Sequence, residues 1–236
     1  MLWDDHGVWS YYEYGSVVWL WWLDHAYGDG TGSVAPELWA AMTQEGYGDE
    51  PDLLDAWDDI AGGWQASFLD FTADRARMGG DEGPDWLAFA GESGRVARAE
   101  IAVQPPAELS PALPPFPLGA VFYDIEAEQG DSLELTLESA EAVDWALLVV
   151  EPGGEAAIMQ GEELSYGPLA NGQATVIVAN LGPADMDADD PLRAADFTLQ
   201  IDSGGCGCSS RPGGVVQLGW ALLAGLGLCA RRRKSR

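Results

Sequence analysis

Basic residues are scarce in this 236-residue chain, which has 11 Lys and Arg against 39 Asp and Glu. Five of the 11 lie at the very end of the chain: Arg231, Arg232, Arg233, Lys234 and Arg236. The first 230 residues therefore hold 6 basic and 39 acidic groups, a formal net charge of −33. Because nucleic acids bind to basic surfaces, this balance argues against a nucleic-acid partner. It predicts instead a heavily solvated acidic surface.

Cysteine is absent from the body of the chain. Cys206, Cys208 and Cys229 all lie in the last 31 residues, so the body cannot contain a disulfide framework. The spacing of Cys206 and Cys208 is too close for an easy mutual disulfide. A zinc site there would need a second Cys pair or histidines nearby, and the surrounding sequence supplies neither.

Catalytic signatures are also missing. The only histidines are His6 and His25, 19 residues apart, and no His-Glu-x-x-His motif occurs. Such a motif holds zinc between two histidines one helical turn apart, with a glutamate that activates water. The chain also lacks a Gly-x-Ser-x-Gly nucleophile elbow and a phosphate-binding loop. No catalytic residue is predicted, and both histidines are interpreted as capping or surface residues.

A membrane segment is predicted near the end of the chain. Residues 213–230 contain no charged side chain, and Gln217 is their one strongly polar residue. A spanning helix needs about 20 apolar residues, with about 17 as the lower limit. The basic cluster that follows stays on the cytoplasmic side, so the body is expected outside the cytoplasm. The alternative is a buried hydrophobic helix with a solvated basic end.

The order of features in this tail resembles a known sorting signal. "GCGCSS" (205–210) precedes the apolar segment "GGVVQLGWALLAGLGLCA", and "RRRKSR" closes the chain. This order resembles the MYXO-CTERM C-terminal signal of myxobacterial surface proteins. The resemblance implies export, cleavage near the cysteines by a dedicated membrane protease, and attachment at the cell surface. The processed or lipid-modified residue would be Cys206 or Cys208.

The start of the chain lacks the basic stretch and the apolar core of about 7–15 residues that an export signal needs. "VVWLWWL" (17–23) is short and follows no basic residues. We therefore expect that the sequence is a fragment, or that the true start of the gene lies upstream of Met1. The alternative is that the C-terminal segment anchors the chain in the membrane without a signal peptide.

The body divides into a helical part and a β part. Up to residue 94, apolar residues recur at helical spacing in segments that end at glycines, such as Leu54, Trp57 and Ile60 in "EPDLLDAWDDIAGG". Ser33 is predicted to cap the helix in "SVAPELWAAM", with Leu38, Trp39 and Met42 on one face. Those apolar faces are expected to form core rather than an aromatic ligand site.

After Gly94, short apolar or alternating runs predict an antiparallel β-sandwich. The runs are "RVARAEIAV", "GAVFYDIEA", "SLELTLES", "WALLVVE", "ATVIVANL" and "DFTLQI". Asn171-Gly172 indicates a hairpin turn before Gln173, and we expect residues 95–202 to fold alone. The proline-rich stretch 104–117 is either a crossover loop or a linker between domains.

The predicted fold class is therefore α+β. It comprises a helical subdomain (1–94), a β-sandwich (95–202), a Cys-containing sorting motif (203–212), a single transmembrane helix (213–230) and a basic cytoplasmic tail (231–236).

The body resembles the region downstream of the zinc motif in secreted gluzincin-type metalloprotease-like proteins. The matching segments are "YEYGSVVWLWWLDHAYGDGTGSVAPELWAAM" (12–42) and the strand "DWAL" (144–147). The resemblance implies a buried helix, an acidic Tyr-Gly turn, a second helix and a following β-sandwich. The zinc motif itself is missing, so the chain is either a non-catalytic relative or the C-terminal part of a protease whose catalytic half lies upstream. The in-frame DNA upstream of Met1 distinguishes the two.

One acidic loop offers candidate metal ligands. In "ADMDADDP" (184–191) the carboxylates are those of Asp185, Asp187, Asp189 and Asp190. Calcium prefers such oxygen ligands, but the glycine and the terminal glutamate of an EF-hand are missing. The interpretation as a solvated loop is favoured over a calcium site. The sequence thus predicts a membrane-attached surface protein, structural or binding in role, with a secreted zinc protease fragment as the alternative.

Overall fold

The computed structural model of the chain describes residues 12–43, 52–77, 102–183, 186 and 193–204. Within these ranges it contains four α-helices followed by eight β-strands, so the prediction of an α+β chain with a β-sandwich is confirmed. The helices are α1 (Tyr12–Tyr27), α2 (Val34–Met42), α3 (Leu53–Ala61) and α4 (Trp64–Arg77). The strands are β1 (Ala107–Leu109), β2 (Gly119–Glu126), β3 (Ser132–Glu138), β4 (Asp144–Val150), β5 (Ala156–Gln160), β6 (Glu163–Tyr166), β7 (Gln173–Gly182) and β8 (Thr198–Gly204).

The strands form two four-stranded antiparallel sheets. Sheet I has the order β2-β7-β4-β5, and sheet II has the order β1-β8-β3-β6. Alternate side chains of both sheets meet between them, including Leu135, Leu147, Val176 and Ile201, which are all buried. This inner layer is the core that the alternating strand patterns predict.

Sheet I is buried on its outer face as well. β4 and β7 are buried at every position but their first, because the helices pack against the side of sheet I that faces away from sheet II. The sheet residues in this second core are Phe122, Ala146, Leu148, Val150, Ile177, Ala179 and Leu181. Burial on both faces explains why β4 and β7 are continuous apolar runs rather than alternating ones. The described helices and strands all belong to one compact unit, residues 1–206.

Two side chains of α4 connect the helices to the sandwich. The Arg75 guanidinium lies 5.7 Å from the ring centre of Phe71 and 5.5 Å from that of Phe122. Burial lowers the pKa of Arg75, and cation–π contacts offset part of the cost of that burial. Arg77 pairs with Asp74 at 2.9 Å and donates to the Gly154 carbonyl oxygen at 2.8 Å. The end of α4 is thereby attached to the loop between β4 and β5.

The cap of α2 differs from the predicted one. Ser33 occupies the N-cap position but makes no capping hydrogen bond with its side chain. The buried Asp24 carboxylate of α1 instead accepts from the Gly32 amide (2.8 Å) and the Val34 amide (3.1 Å). A carboxylate ten residues away thus satisfies the first free N–H group of α2 and the N–H group of Gly32 in the turn before it. On α2, Leu38 is buried as predicted, whereas Trp39 is exposed.

The predicted Asn171-Gly172 hairpin is wrong. β6 precedes this turn in sheet II and β7 follows it in sheet I, so the turn carries the chain from one sheet to the other. Gly172 has a φ of 71°, and a Cβ there would lie 2.5 Å from the Ala127 carbonyl oxygen. The position requires glycine for both reasons, which accounts for the turn pattern without a hairpin.

The proline-rich stretch crosses between the sheets. Val103 bridges to Ile125 of sheet I, whereas β1, within the stretch, pairs with β8 of sheet II. The Pro115 carbonyl oxygen accepts from the Asn180 side chain at 2.9 Å. This stretch is therefore a crossover of the sandwich.

Several predicted features lie outside the described residues. They are the boundary at 94/95, the sorting motif from Gly205 onward, the segment 213–230 and the tail 231–236. Within the described residues, no helix has the length and apolarity needed to cross a membrane.

Candidate functional site

The fifth strand, β5, forms an open edge of sheet I. It pairs with β4 on one side, and no described strand pairs with it on the other. Ile158 is 37% exposed and Met159 is 46% exposed. Their side chains point to opposite faces, because Ile158 lies opposite Leu148 of the helix-facing core and Met159 lies opposite Leu147 of the inner core.

The hydrogen-bond register shows which backbone groups of β5 point outward. The Gly161 amide donates to the Trp145 carbonyl oxygen at 2.8 Å, and the pairing continues without a shift from Gln160 to Ala156. In an antiparallel pair, residues alternate between those that bond the partner strand and those that point away. Ala157 and Met159 therefore bond β4. Ala156, Ile158 and Gln160 direct their N–H and C=O groups away from the sheet.

Three polar contacts hold the β4–β5 connection in place. The carboxylate of Glu151, 8% exposed, accepts from the Tyr166 hydroxyl at 2.7 Å and from the Ala170 amide at 2.6 Å. Burial, and then the hydrogen bond to Glu151, raise the pKa of Tyr166 to about 12. Arg77 holds Gly154 in the same connection from the helical side. β5 is thus an exposed strand on a firmly attached hairpin.

A groove of about 850 Å³ lies at the Met159–Gln160 end of β5, where residues of β3, β4 and the β5–β6 connection line it. We call it the acidic groove, because Glu138, Asp144, Glu162 and Glu163 line it, together with Met159. All four carboxylates are on exposed residues, and none forms an ion pair with a described residue. Their negative charge is therefore uncompensated within the described part of the chain.

A second groove, of about 710 Å³, lies on the side of β5 that faces the helices. This helix-side groove is lined by Ile158 and Glu155 of the hairpin and by Tyr27 and Asp70 of the helices, among others. Partial burial raises the pKa of Asp70, and neighbouring Asp74 raises it further. Burial likewise raises the pKa of Tyr27, and Asp70 adds to the effect. Each side of β5 therefore presents apolar surface beside carboxylates.

The buried Trp22 indole and the partly exposed Arg77 guanidinium hold the Asp74 carboxylate in the helix-side groove. The Trp22 Nε1 group donates to Asp74 Oδ2 at 2.8 Å, and Arg77 donates to the other oxygen of the same carboxylate. Both oxygens of the Asp74 carboxylate therefore have hydrogen-bond donors. His25, which the sequence analysis interpreted as a capping or surface residue, is exposed in the last turn of α1 and lines this groove.

The predicted site residues lie outside the described residues. The described residues end before the sorting cysteines Cys206 and Cys208 and before the basic residues of the tail, and they exclude the four candidate calcium ligands Asp185, Asp187, Asp189 and Asp190. Within the described ranges, no group of three or more His, Cys, Asp or Glu side chains is arranged to hold a metal ion.

Comparisons with known proteins find only partial similarities. No family model matches the chain, and no curated protein matches it. Among solved structures, it is similar to the periplasmic g-type lysozyme inhibitor PliG of Aeromonas hydrophila, with 14% identity over 42% of this chain and 85% of that chain, at a TM-score of 0.32. It is also similar to the pre-peptidase C-terminal domain of a Bacillus anthracis collagenase, with 9% identity over 45% of this chain and 100% of that chain, at a TM-score of 0.34.

Proposed function

We propose that this chain is a non-catalytic binding module that is attached at its C-terminal end to a membrane and acts outside the cytoplasm. The observation that carries the binding role is the strand β5, which no described strand covers and which lies between two grooves lined by carboxylates. Exposed edge strands are a liability that proteins usually cover, shorten or block, and this one is accompanied by exposed apolar side chains. A positively charged partner would both cover the edge and neutralise the carboxylates.

The location outside the cytoplasm rests on the tail. The cysteine motif, the uncharged segment 213–230 and the basic cluster resemble a sorting signal, and basic residues beside a span stay in the cytoplasm. We expect protease added to intact cells of the native host to degrade the body. Replacing Cys206 and Cys208 with alanine is expected to leave the full-length chain in the inner membrane. An intact C-terminus at Arg236 on surface-exposed molecules would rule out cleavage at the sorting motif.

Neutralising the carboxylates of the acidic groove tests the binding role. A variant of the full-length chain with Glu138→Gln, Asp144→Asn, Glu162→Gln and Glu163→Gln is expected to lose salt-sensitive binding of polylysine. The matched control neutralises four exposed carboxylates away from the β5–β6 edge, by Glu108→Gln, Glu126→Gln, Glu128→Gln and Asp202→Asn. Both variants have the same net charge, so equal loss of binding would show that polylysine senses only the overall charge and would contradict a localised site.

A further inference from the structure

We infer that β5 binds an extended, basic peptide segment, which adds to sheet I as a fifth strand beside Ala156–Gln160. This inference rests on the proposed binding function and names the class of partner and the way in which it is held. Strand addition at an open sheet edge is a recurring form of peptide recognition, in which backbone hydrogen bonds supply affinity and alternate side chains supply specificity.

The backbone of β5 is ready for such a partner. Ala156, Ile158 and Gln160 direct their N–H and C=O groups outward, as the register with β4 requires. No described residue bonds these groups. A strand of five residues offers this ladder over about 17 Å, which a peptide of five to seven residues would cover.

The two grooves determine the side chains that an added strand should carry. Neighbouring residues on paired strands have Cβ atoms about 4.5–5.5 Å apart. Side chains on one face of the added strand would contact Ile158 and approach Glu155 and Asp70 in the helix-side groove. Those on the other face would contact Met159 and approach Glu162 in the acidic groove. Both faces therefore favour apolar side chains together with lysine or arginine.

A second copy of this chain does not have the required charge. If two copies paired antiparallel about Ile158, Glu155 of one copy would lie beside Gly161 and Glu162 of the other. Carboxylates this close together on neighbouring strands repel one another. The formal charge of −33 on the first 230 residues adds a general repulsion. The acidic residues around β5 thus oppose self-association and favour a basic partner.

The test uses the full-length chain in a mild detergent and a synthetic seven-residue peptide that alternates valine and lysine. Amide hydrogen exchange by NMR reports on strand addition directly. Saturating peptide is expected to slow exchange of the outward amides of Ala156, Ile158 and Gln160 by about tenfold or more. The amides of Ala157 and Met159, which already bond β4, are expected to change much less. Binding without this alternating pattern of protection would overturn strand addition.

A pair of variants tests the same point by affinity. Proline at position 160 removes one outward N–H, and proline is tolerated at sheet edges where that group faces solvent. Gln160→Pro is expected to weaken binding about tenfold, because one hydrogen bond is lost and an adjacent one is strained. Gln160→Val keeps the amide and is expected to bind like the wild type. Equal affinities for the two variants, with Gln160→Pro folded by circular dichroism, would overturn the inference.

Three further outcomes test this inference, and one of them separates it from the function on which it rests. A peptide that alternates valine and glutamate is expected not to bind, and equal binding of the two peptides would contradict the basic partner. If the valine–lysine peptide bound without the alternating protection, while the fourfold neutralised variant lost polylysine binding, the grooves would hold cations by charge alone. The proposed function would then stand and strand addition would fail. A dimer in sedimentation without peptide, protected at β5, would assign the edge to a second copy and overturn the inference.

Discussion

Removing the helices should prevent the β-sandwich from folding stably. A fragment of residues 102–204 would contain both sheets but would expose the outer face of sheet I to water. Five large apolar side chains on that face are buried against the helices: Phe122, Leu148, Val150, Ile177 and Leu181. Burying each such side chain contributes about 1.5–3 kcal/mol, so the face is worth roughly 8–15 kcal/mol as an upper estimate.

This amount is comparable with the whole stability of a typical domain, about 5–15 kcal/mol. The structure thus replaces the sequence-based expectation that residues 95–202 fold alone with the opposite prediction. We expect the fragment to aggregate or to lack the near-ultraviolet circular dichroism of packed aromatic residues. A second fragment with Leu148→Thr and Ile177→Thr is expected to be more soluble, because its outer face is less apolar.

Size-exclusion chromatography and urea unfolding of the two fragments and the full-length chain check this reasoning. A wild-type fragment that is monomeric, and that unfolds cooperatively with a free energy as large as that of the full-length chain, would refute it. The helices would then be an appendage of the sandwich rather than one of its layers.

Four other predictions follow from particular residues. Asp24→Ala is expected to cost about 2–4 kcal/mol in urea unfolding, because two amides lose a buried carboxylate partner, whereas Asp29→Ala, at an exposed loop position, should cost less than about 1 kcal/mol. The pKa of Tyr166 is raised to about 12 from 10.0, so its contribution to stability is complete below pH 10 and is lost as the pH rises through 12; Tyr166→Phe should flatten the decline of the unfolding free energy between about pH 10 and pH 12. If the acidic loop binds calcium, millimolar calcium should raise the unfolding temperature of the wild type but not that of the Asp187→Asn, Asp189→Asn variant. A wild-type unfolding temperature that calcium does not change would support the interpretation as a solvated loop. The full-length chain is expected not to cleave casein, and chelator-sensitive cleavage with stoichiometric zinc would contradict this.

Much of the fold was predictable because its strands and helices have strong local patterns. β2, β3, β4 and β7 coincide with predicted runs within a residue or two, and β8 overlaps its run from Thr198 onward. Apolar side chains at a period of two or in a buried run specify such strands whatever their partners are. Leu54 and Trp57 are buried on α3 as their spacing predicts.

The order of the strands was not predictable in the same way, because pairing is a property of distant segments. The Asn171-Gly172 turn carries a hairpin pattern, yet its neighbouring strands lie in different sheets. The actual β4–β5 hairpin has "EPGGE" (151–155) at its turn, a Pro-Gly pattern that could have indicated it.

The candidate site was missed for a related reason. Nothing in "AAIMQ" (156–160) distinguishes an edge strand from a short loop. Whether this strand lies at the edge of its sheet depends on how the other strands of the chain pair. The sequence pattern therefore indicates candidate metal ligands only in the acidic loop. One available indication was the carboxylate pair Glu162 and Glu163 directly after a short apolar segment.

The position of β8 has a mechanical consequence for a protein held by its C-terminal side. The chain continues from Gly204 toward the tail, so tension applied there enters the compact unit through β8. β8 lies inside sheet II, paired with β3 over seven residues and with β1 over three. A pull along this strand loads those hydrogen bonds together rather than one after another. Under the proposed function, a partner bound at β5 would transmit its force to β8 through the packed layer between the sheets, and the sandwich would be a stiff link between that partner and the membrane.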